Sequence, residues 1–247
     1  VKVYGILKAN VDPHDYEPSP ADAQALATAD VIVKNGVGLE TWLDPLVKSA
    51  APKAVTVDAS QGVKIRRLNG EDDPHIWHNP QNAKIMVANI EKAMAVADPS
   101  GAQVYESNAR AYQAKLDALD ADIAAQIATL SNKKLVTNHD AFGYYVDRYG
   151  LVFVGSIIPS FDTSAEMSAK DLQDIVAKIK AQQVKAVFSE SSLPPKTAEA
   201  IAKQAGVKVV AGEDALYGDT LGPAGSSGAT YLQMEEHNTK VIVENLR

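Results

Sequence analysis

Cysteine is absent from the 247 residues of this sequence. Disulfide bonds, thiolate metal sites and cysteine nucleophiles are therefore excluded together. Any metal site must instead use nitrogen and oxygen ligands, from histidine, carboxylate and carbonyl groups. A chain without cysteine suits an oxidising compartment outside the cytoplasm, although cytoplasmic proteins also lack cysteine.

Long apolar runs and basic strips are missing as well. No segment has the roughly 18 consecutive apolar residues that a transmembrane helix needs, and residues 1–7 lack the basic and apolar regions of an export signal, which was either removed or never present. Lys and Arg number 24 against 31 Asp and Glu, so the net charge is −7. Because this charge repels polyanions, we expect no nucleic-acid partner.

The composition is otherwise that of a folded globular protein, with 46% hydrophobic and 22% charged residues. Short β-branched runs alternate with helical patterns, which predicts βαβ units and mostly parallel sheets. The predicted strands are 1–7, 30–34, 54–57, 133–137, 151–155, 185–188 and 207–210. The predicted helices are 20–29, 39–50, 80–97, 141–149, 168–182, 196–205 and one from about 228.

A longer helical pattern separates the two sets of elements. Asp98-Pro99 supplies a capping residue followed by proline, and apolar residues then recur at steps of three and four as far as Leu130. A helix of about thirty residues is long for a single globular domain. We therefore expect an α/β fold of two lobes with mostly parallel sheets, made of residues 1–97, a linking helix over 98–130, and residues 131–247.

Three of the five histidines lie in loops that follow predicted strands: His14 in VDPHDYEP, His75 in DDPHIWHNP and His139 in TNHDAFGYY. Such loops are where α/β proteins bind ligands. Imidazole is the commonest metal ligand, and three imidazoles take a fourth donor, for which Asp219 in LYGDTLG is suitable. Gaps of about sixty residues match no local zinc motif, so each histidine alone also fits a solvated or capping role.

Four segments resemble, in order, the ligand-bearing blocks of the zinc- and manganese-binding solute-binding proteins of ABC transporters, the cluster A-I metal-receptor family. They are VDPHDYEPSPADAQALATADVIVKNGVGLETWL, DPHIWHNP, NHDAFGYYVDRYGL, and FSESSLPPKTAEAIAKQAGVKVV followed by LYGDTLG. The resemblance implies metal ligands at His14, His75, His139 and Asp219, in the cleft between two α/β lobes joined by a long rigid helix. It also implies capture of one Zn²⁺ ion by a periplasmic protein or cell-surface lipoprotein, and delivery to the membrane permease of an ABC importer.

The metal remains open between zinc and manganese. Manganese-type members of the family tend to have a carboxylate where this chain has His139, and three imidazoles with one carboxylate suit four-coordinate zinc.

The chain departs from the family in three ways. A strand and helix that usually precede the first block are absent, residues 61–73 lack a histidine-rich loop, and His78 replaces an apolar residue. We expect His237 to be solvated, and His78 to be solvated or to support the site indirectly.

A zinc-dependent hydrolase and a metal-binding adhesin are the alternative functions. Catalytic zinc keeps a position open for water, whereas four protein ligands close the site, and no HExxH pair supplies a general base. We therefore expect a monomeric binding protein and not an enzyme.

Asp140 and Glu190 are expected to bond the ligand imidazoles, although Glu190 fits a water-facing position equally well. The Gly- and Ser-rich segment 218–228 is expected to be mobile or closely packed against a ligand. The aromatic residues expected to pack around the site are Trp77, Phe142 and Tyr144.

Overall fold

The computed structural model describes residues 1–50, 52–68 and 70–247. The chain forms two compact units. Unit 1 comprises Val1–Lys8 and Pro13–Asp120, and unit 2 comprises Ala9–Asp12 and Ala121–Arg247. None of the described helices combines the length and apolar character that a membrane span requires.

Unit 1 is built on a short parallel sheet. Its helices and strands are α1 (Pro20–Ala27), β1 (Val31–Lys34), α2 (Leu43–Ala50), β2 (Val55–Asp58), β3 (Arg67–Leu68), β4 (Glu71–Asp72) and α3 (Pro80–Ala97). Strands β1 and β2 pair in parallel, whereas β3 and β4 form an antiparallel hairpin. Leu26, Ile32 and Leu43 are the buried centre of a core that joins α1, β1 and α2.

Two helices of unit 1 begin at caps that can be recognised in the sequence. Ser19 and Asp22 form a capping box at the start of α1. The side chain of Asn79 accepts a hydrogen bond from the N–H of Gln81 at the start of α3, and a proline follows each cap. Caps of this kind satisfy N–H groups that have no partner inside the helix. The start of α3 is therefore defined locally, directly after the loop that carries His75.

The long helix predicted from the sequence is confirmed. It is α4 (Ala102–Ala128), which has 27 residues and follows a short 3₁₀ turn, Pro99–Gly101. The boundary between the two units falls within α4, after Asp120. Its buried apolar residues at steps of three and four are Leu116, Leu119, Ile123 and Ile127.

Unit 2 contains a four-stranded parallel sheet. Its elements are β5 (Lys134–Thr137), α5 (Gly143–Tyr149), β6 (Val152–Ser156), α6 (Ala169–Ala181), β7 (Ala186–Phe188), α7 (Lys196–Ala205), β8 (Lys208–Val210) and α8 (Tyr231–Leu246). The strand order is β6-β5-β7-β8, so the direction of winding reverses between β5 and β7. Open α/β sheets bind ligands at the carboxyl ends of the strands beside such a reversal. The predicted α/β class with parallel sheets is confirmed.

The strand predicted over residues 1–7 is wrong. This segment has irregular backbone, and Val1 and Val3 are 91% and 86% exposed. Their β-branched side chains favour extended structure, but a strand is stabilised by pairing and by one buried face. Neither is provided to this segment by the residues that the structure describes.

Candidate metal centre

The loop that carries His14 is held on both sides by aromatic contacts within unit 1. The indole N–H of Trp42 donates to the carbonyl oxygen of Pro13 at 2.9 Å. The ring of Tyr16 packs on Trp42 with centroids 4.9 Å apart, and its hydroxyl donates to Asp22 at 2.8 Å. These contacts restrict the backbone immediately before and after His14, whose Nε2 atom is buried.

Asp22 is the anchor of this loop. Its side chain accepts hydrogen bonds from the Tyr4 hydroxyl, the Tyr16 hydroxyl, and the backbone and side chain of Ser19. Burial raises the pKa of Asp22, but these hydrogen bonds outweigh it and lower the pKa to about 2. The carboxylate therefore remains ionised and fully engaged at neutral pH.

His75 is completely buried and is oriented by Asp73. The Nδ1 atom of His75 lies 2.7 Å from Oδ1 of Asp73, and the same oxygen accepts the backbone N–H of His75 at 3.0 Å. A carboxylate at Nδ1 favours the tautomer with the ring proton there, in which the lone pair of Nε2 can coordinate a metal. The rings of His14 and His75 have centroids 5.5 Å apart, so unit 1 brings two candidate ligands together. The role of Asp73 was not predicted, although an acidic residue just before the Pro-His pair was visible in the sequence.

His78 is fully buried, so the solvated position considered for it is wrong. It is the last residue of a 3₁₀ helix, Ile76–His78, and His75 is the N-cap of that helix. Trp77 lies between them and contacts the edge of the His75 ring at a centroid distance of 5.4 Å.

In unit 2, His139 is completely buried directly after β5 and contacts two carboxylates. Its Nδ1 atom lies 2.8 Å from Oε2 of Glu190, and its backbone N–H donates to Oε1 of Glu190 at 3.0 Å. The Nε2 atom lies 3.3 Å from Oδ2 of Asp219. The expected proximity of Glu190 to an imidazole is confirmed as an ion-pair contact, and the water-facing alternative is wrong because Glu190 is 1% exposed. The same role for Asp140, which is also buried, stays a prediction.

The two carboxylates make the surroundings of His139 favourable for positive charge. Burial lowers the pKa of this imidazole, but the charges of Asp219 and Glu190 outweigh burial, and the pKa lies well above its ordinary value. A cation that binds at Nε2 must therefore displace a proton, and it then occupies a position that already attracts positive charge.

The loop that carries Asp219 is closely packed. A Cβ atom on Gly218 would lie 2.1 Å from Oε2 of Glu190. A Cβ atom on Gly222 or Gly228 would lie within 2.8 Å of the ring of Tyr217. Glycine is favoured at these three positions because a larger residue would displace the neighbouring side chains. The fourth glycine of segment 218–228, Gly225, has open space around it and a φ of +84° instead.

His237 is only partly exposed, whereas a solvated position was predicted. Its Nε2 atom lies 3.0 Å from the carbonyl oxygen of Ala215, and its ring contacts that of Tyr217 at a centroid distance of 5.0 Å. The helix α8 carries this ring against the loop that follows β8. Phe142 and Tyr144, which were expected near the site, are buried in unit 2.

Comparisons with known proteins bear on the whole chain. A family model described as the zinc-uptake complex component A, periplasmic (ZnuA), matches residues 1–245. The zinc-binding protein TroA of Treponema pallidum (strain Nichols) is 34% identical over 254 residues, which cover 100% of this chain and 82% of that protein. An iron ABC transporter substrate-binding lipoprotein, MtsA of Streptococcus pyogenes serotype M1, is 32% identical over 260 residues. A manganese ABC transporter substrate-binding lipoprotein, PsaA of Streptococcus anginosus, is 30% identical over 260 residues. The shares covered are again 100% of this chain and 82% of each protein.

The fold is similar to a solved structure as well. The periplasmic zinc-binding protein TroA from Treponema pallidum matches with a TM-score of 0.90 and 30% sequence identity, and the match covers 98% of this chain and 90% of that one. Similarity at this level extends over nearly every described element of both units.

Proposed function

Since this chain belongs to the family of the periplasmic zinc-uptake complex component A, we propose that it captures one Zn²⁺ ion outside the cytoplasm and delivers it to the membrane permease of an ABC importer. The observation that carries this proposal is the chemistry of two ligand pairs, one in each unit. His14 and His75 adjoin in unit 1, and His139 contacts Asp219 in unit 2. Each pair presents donor atoms that prefer a borderline metal ion.

We propose that these four residues bind the ion together. The proposal is supported by the carboxylates that contact two of the imidazoles. Asp73 contacts Nδ1 of His75, and Glu190 contacts Nδ1 of His139. Imidazoles that bind metals are generally held in this way by carboxylates, which fix the tautomer and leave Nε2 for the ion. The four residues also match, block by block, the ligand positions implied by the family resemblance.

Zinc is the proposed cargo, and manganese is the alternative. Three imidazole nitrogens and one carboxylate suit four-coordinate zinc, whereas manganese prefers more oxygen ligands. Relatives are named for zinc, iron and manganese, so the family alone does not decide the metal. The third imidazole, His139, carries the argument for zinc.

A binding role is favoured over a hydrolase. Four protein ligands leave no position for the water that catalytic zinc activates. Asp73 and Glu190 are already engaged by imidazoles, so neither is placed to act as a general base. The net charge of −7 supports a protein without a nucleic-acid partner, and we propose that it works as a monomer.

The test is the metal stoichiometry and affinity of ligand variants. Native mass spectrometry of the zinc-loaded protein should show one ion per chain. Alanine at His14, His75, His139 or Asp219 should weaken zinc binding by at least tenfold in each case. His237→Ala is the matched control, because this histidine bonds the carbonyl of Ala215 instead. Two equally tight ions, or ligand variants that bind as tightly as the control, would overturn the proposal.

The choice of metal has its own test. His139→Glu adds an oxygen ligand and should narrow the ratio of zinc to manganese affinity, whereas His139→Ala should weaken both. Competition titrations of the two variants measure this ratio. A ratio that stays at the wild-type value in His139→Glu would mean that residue 139 does not contact the ion. Screening the zinc-loaded protein against ester, peptide and phosphate substrates tests the hydrolase alternative.

A further inference from the structure

Arg66 and Asp73 face each other at the end of the β3–β4 hairpin in unit 1. The backbone N–H of Asp73 donates to the carbonyl oxygen of Arg66 at 2.9 Å, which adds a rung to the hairpin. The Nη1 atom of Arg66 lies 3.2 Å from Oδ2 of Asp73. The side chain of Arg66 is 19% exposed and that of Asp73 is fully buried. An ionised carboxylate at such depth is strongly unfavourable without a cationic partner, and Arg66 provides it.

The two oxygens of Asp73 have different partners. Oδ2 contacts Arg66, whereas Oδ1 accepts both the backbone N–H and the Nδ1–H of His75. A carboxylate group is planar and rotates as one body, so a contact that fixes one oxygen also fixes the direction of the other. Arg66 therefore affects the orientation of the His75 ring through its contact with Asp73.

We propose that Arg66 is a positioning residue for metal binding: it holds Asp73 in the orientation that keeps the proton of His75 on Nδ1 and leaves Nε2 for the ion. This inference rests on the proposed function, in which His75 is a ligand. Without the guanidinium, one of the contacts that fix the plane of the carboxylate is lost, its hold on Nδ1 of His75 weakens, and the two tautomers of the imidazole then compete. Only the tautomer with the proton on Nδ1 can bind a metal through Nε2.

The neighbouring residue Arg67 offers a matched control. It has the same side chain on the same hairpin and pairs with Asp72. That pair is exposed, with side-chain exposures of 72% and 43%, and neither member is bonded to His75 in the contacts described. A substitution at residue 67 therefore perturbs the hairpin and the net charge equally, but it leaves the contacts of Asp73 in place.

The experiment compares Arg66→Met, Arg66→Lys and Arg67→Met in the full chain. Chelator competition measures the zinc affinity, and side-chain ¹⁵N NMR of the stripped protein reports which nitrogen of His75 carries the proton. We expect Arg66→Met to weaken zinc binding about tenfold, the lower end for groups that support a metal-bound imidazole, and to populate the tautomer protonated at Nε2. Arg66→Lys should recover most of the affinity, and Arg67→Met should resemble the wild type.

Wild-type affinity and an unchanged tautomer in Arg66→Met would overturn the inference, as would an equal loss in Arg67→Met. If Arg66→Met does not fold, Arg66→Gln, which keeps a donor but removes the charge, carries the same comparison. His75→Ala separates the two proposals. Unchanged zinc affinity in His75→Ala refutes the ligand assignment, whereas a large loss there together with a silent Arg66→Met refutes only the positioning role.

Discussion

Replacement of Gly218 by alanine tests whether the packing behind His139 controls metal binding. A Cβ atom at residue 218 would lie 2.1 Å from Oε2 of Glu190, the atom that contacts Nδ1 of His139 at 2.8 Å. Contacts that short do not occur between real atoms, so the two atoms must separate by about 1.3 Å or more to reach van der Waals distance. A movement of that size away from the new methyl group breaks the bond to the imidazole.

Two separate losses follow from the same methyl group. Overpacking a buried site costs about 1–3 kcal/mol of the free energy of unfolding, which lowers the Tm of a chain of this size by several degrees. Loss of the carboxylate behind a metal-bound imidazole typically costs about 10–100-fold in metal affinity. We therefore expect Gly218→Ala to be moderately less stable when stripped, and to bind zinc at least tenfold more weakly.

The assay is a melting curve of the stripped protein together with a chelator competition for zinc. Gly5→Ala is the control, because a Cβ atom there would make an ordinary contact at 3.7 Å with the carbonyl oxygen of Leu7. A Gly218→Ala variant that lost stability but kept wild-type zinc affinity would refute the reasoning, since it would show that Glu190 can leave His139 without affecting the ion.

Three further predictions concern protons, metal and packing. The pKa of His139 is raised in the folded state, so protonation of this group should stabilise the stripped protein fully below pH 6.5, and that contribution should be lost as the pH rises through the folded pKa. Zinc affinity should change in the opposite direction and fall as the pH is lowered. Urea titrations and zinc competition assays across pH 5–9 check the two directions. Zinc at a thousandfold excess over Kd should stabilise the protein by about 4 kcal/mol, and coincident melting of stripped and loaded samples would exclude a tight site. Tyr145→Phe removes the buried 2.7 Å hydrogen bond to Thr239 in unit 2, so it should cost about 1 kcal/mol of stability while zinc affinity stays constant, and any loss of affinity would show coupling that these contacts do not explain.

The helices whose ends agree with the prediction are those with caps, prolines or glycines at their ends. Helix α7 begins at Lys196 and ends before Gly206, whose left-handed conformation terminates it, and both bounds agree with the sequence-based prediction. Helix α6 begins directly after Ser168, which forms a capping box with Asp171. Caps, prolines and glycines act within a few residues, so they can be recognised without knowledge of the tertiary structure.

The elements that failed depend on distant partners. Residues 1–7 carry the side chains of a strand but remain irregular, because pairing and burial must come from another part of the chain. The β3–β4 hairpin was not predicted, since strands of only two exposed residues are too short to show an alternating pattern. The contact between Arg66 and Asp73, which this hairpin brings together, could therefore not be predicted either.

By itself, the sequence determined the α/β class, the long helix and the identity of the candidate ligands His14, His75, His139 and Asp219, because periodicity, caps and motif blocks are written in consecutive residues. The tertiary structure decided which of the candidate side chains contact those ligands, and it added Asp73, which the sequence analysis had not singled out. Glu190 lies 51 residues along the chain from His139, yet the parallel pairing of β5 with β7 brings their carboxyl ends together and removes both from water. Hydrogen bonds of that kind depend on distance and burial, and neither quantity exists until the strands have paired.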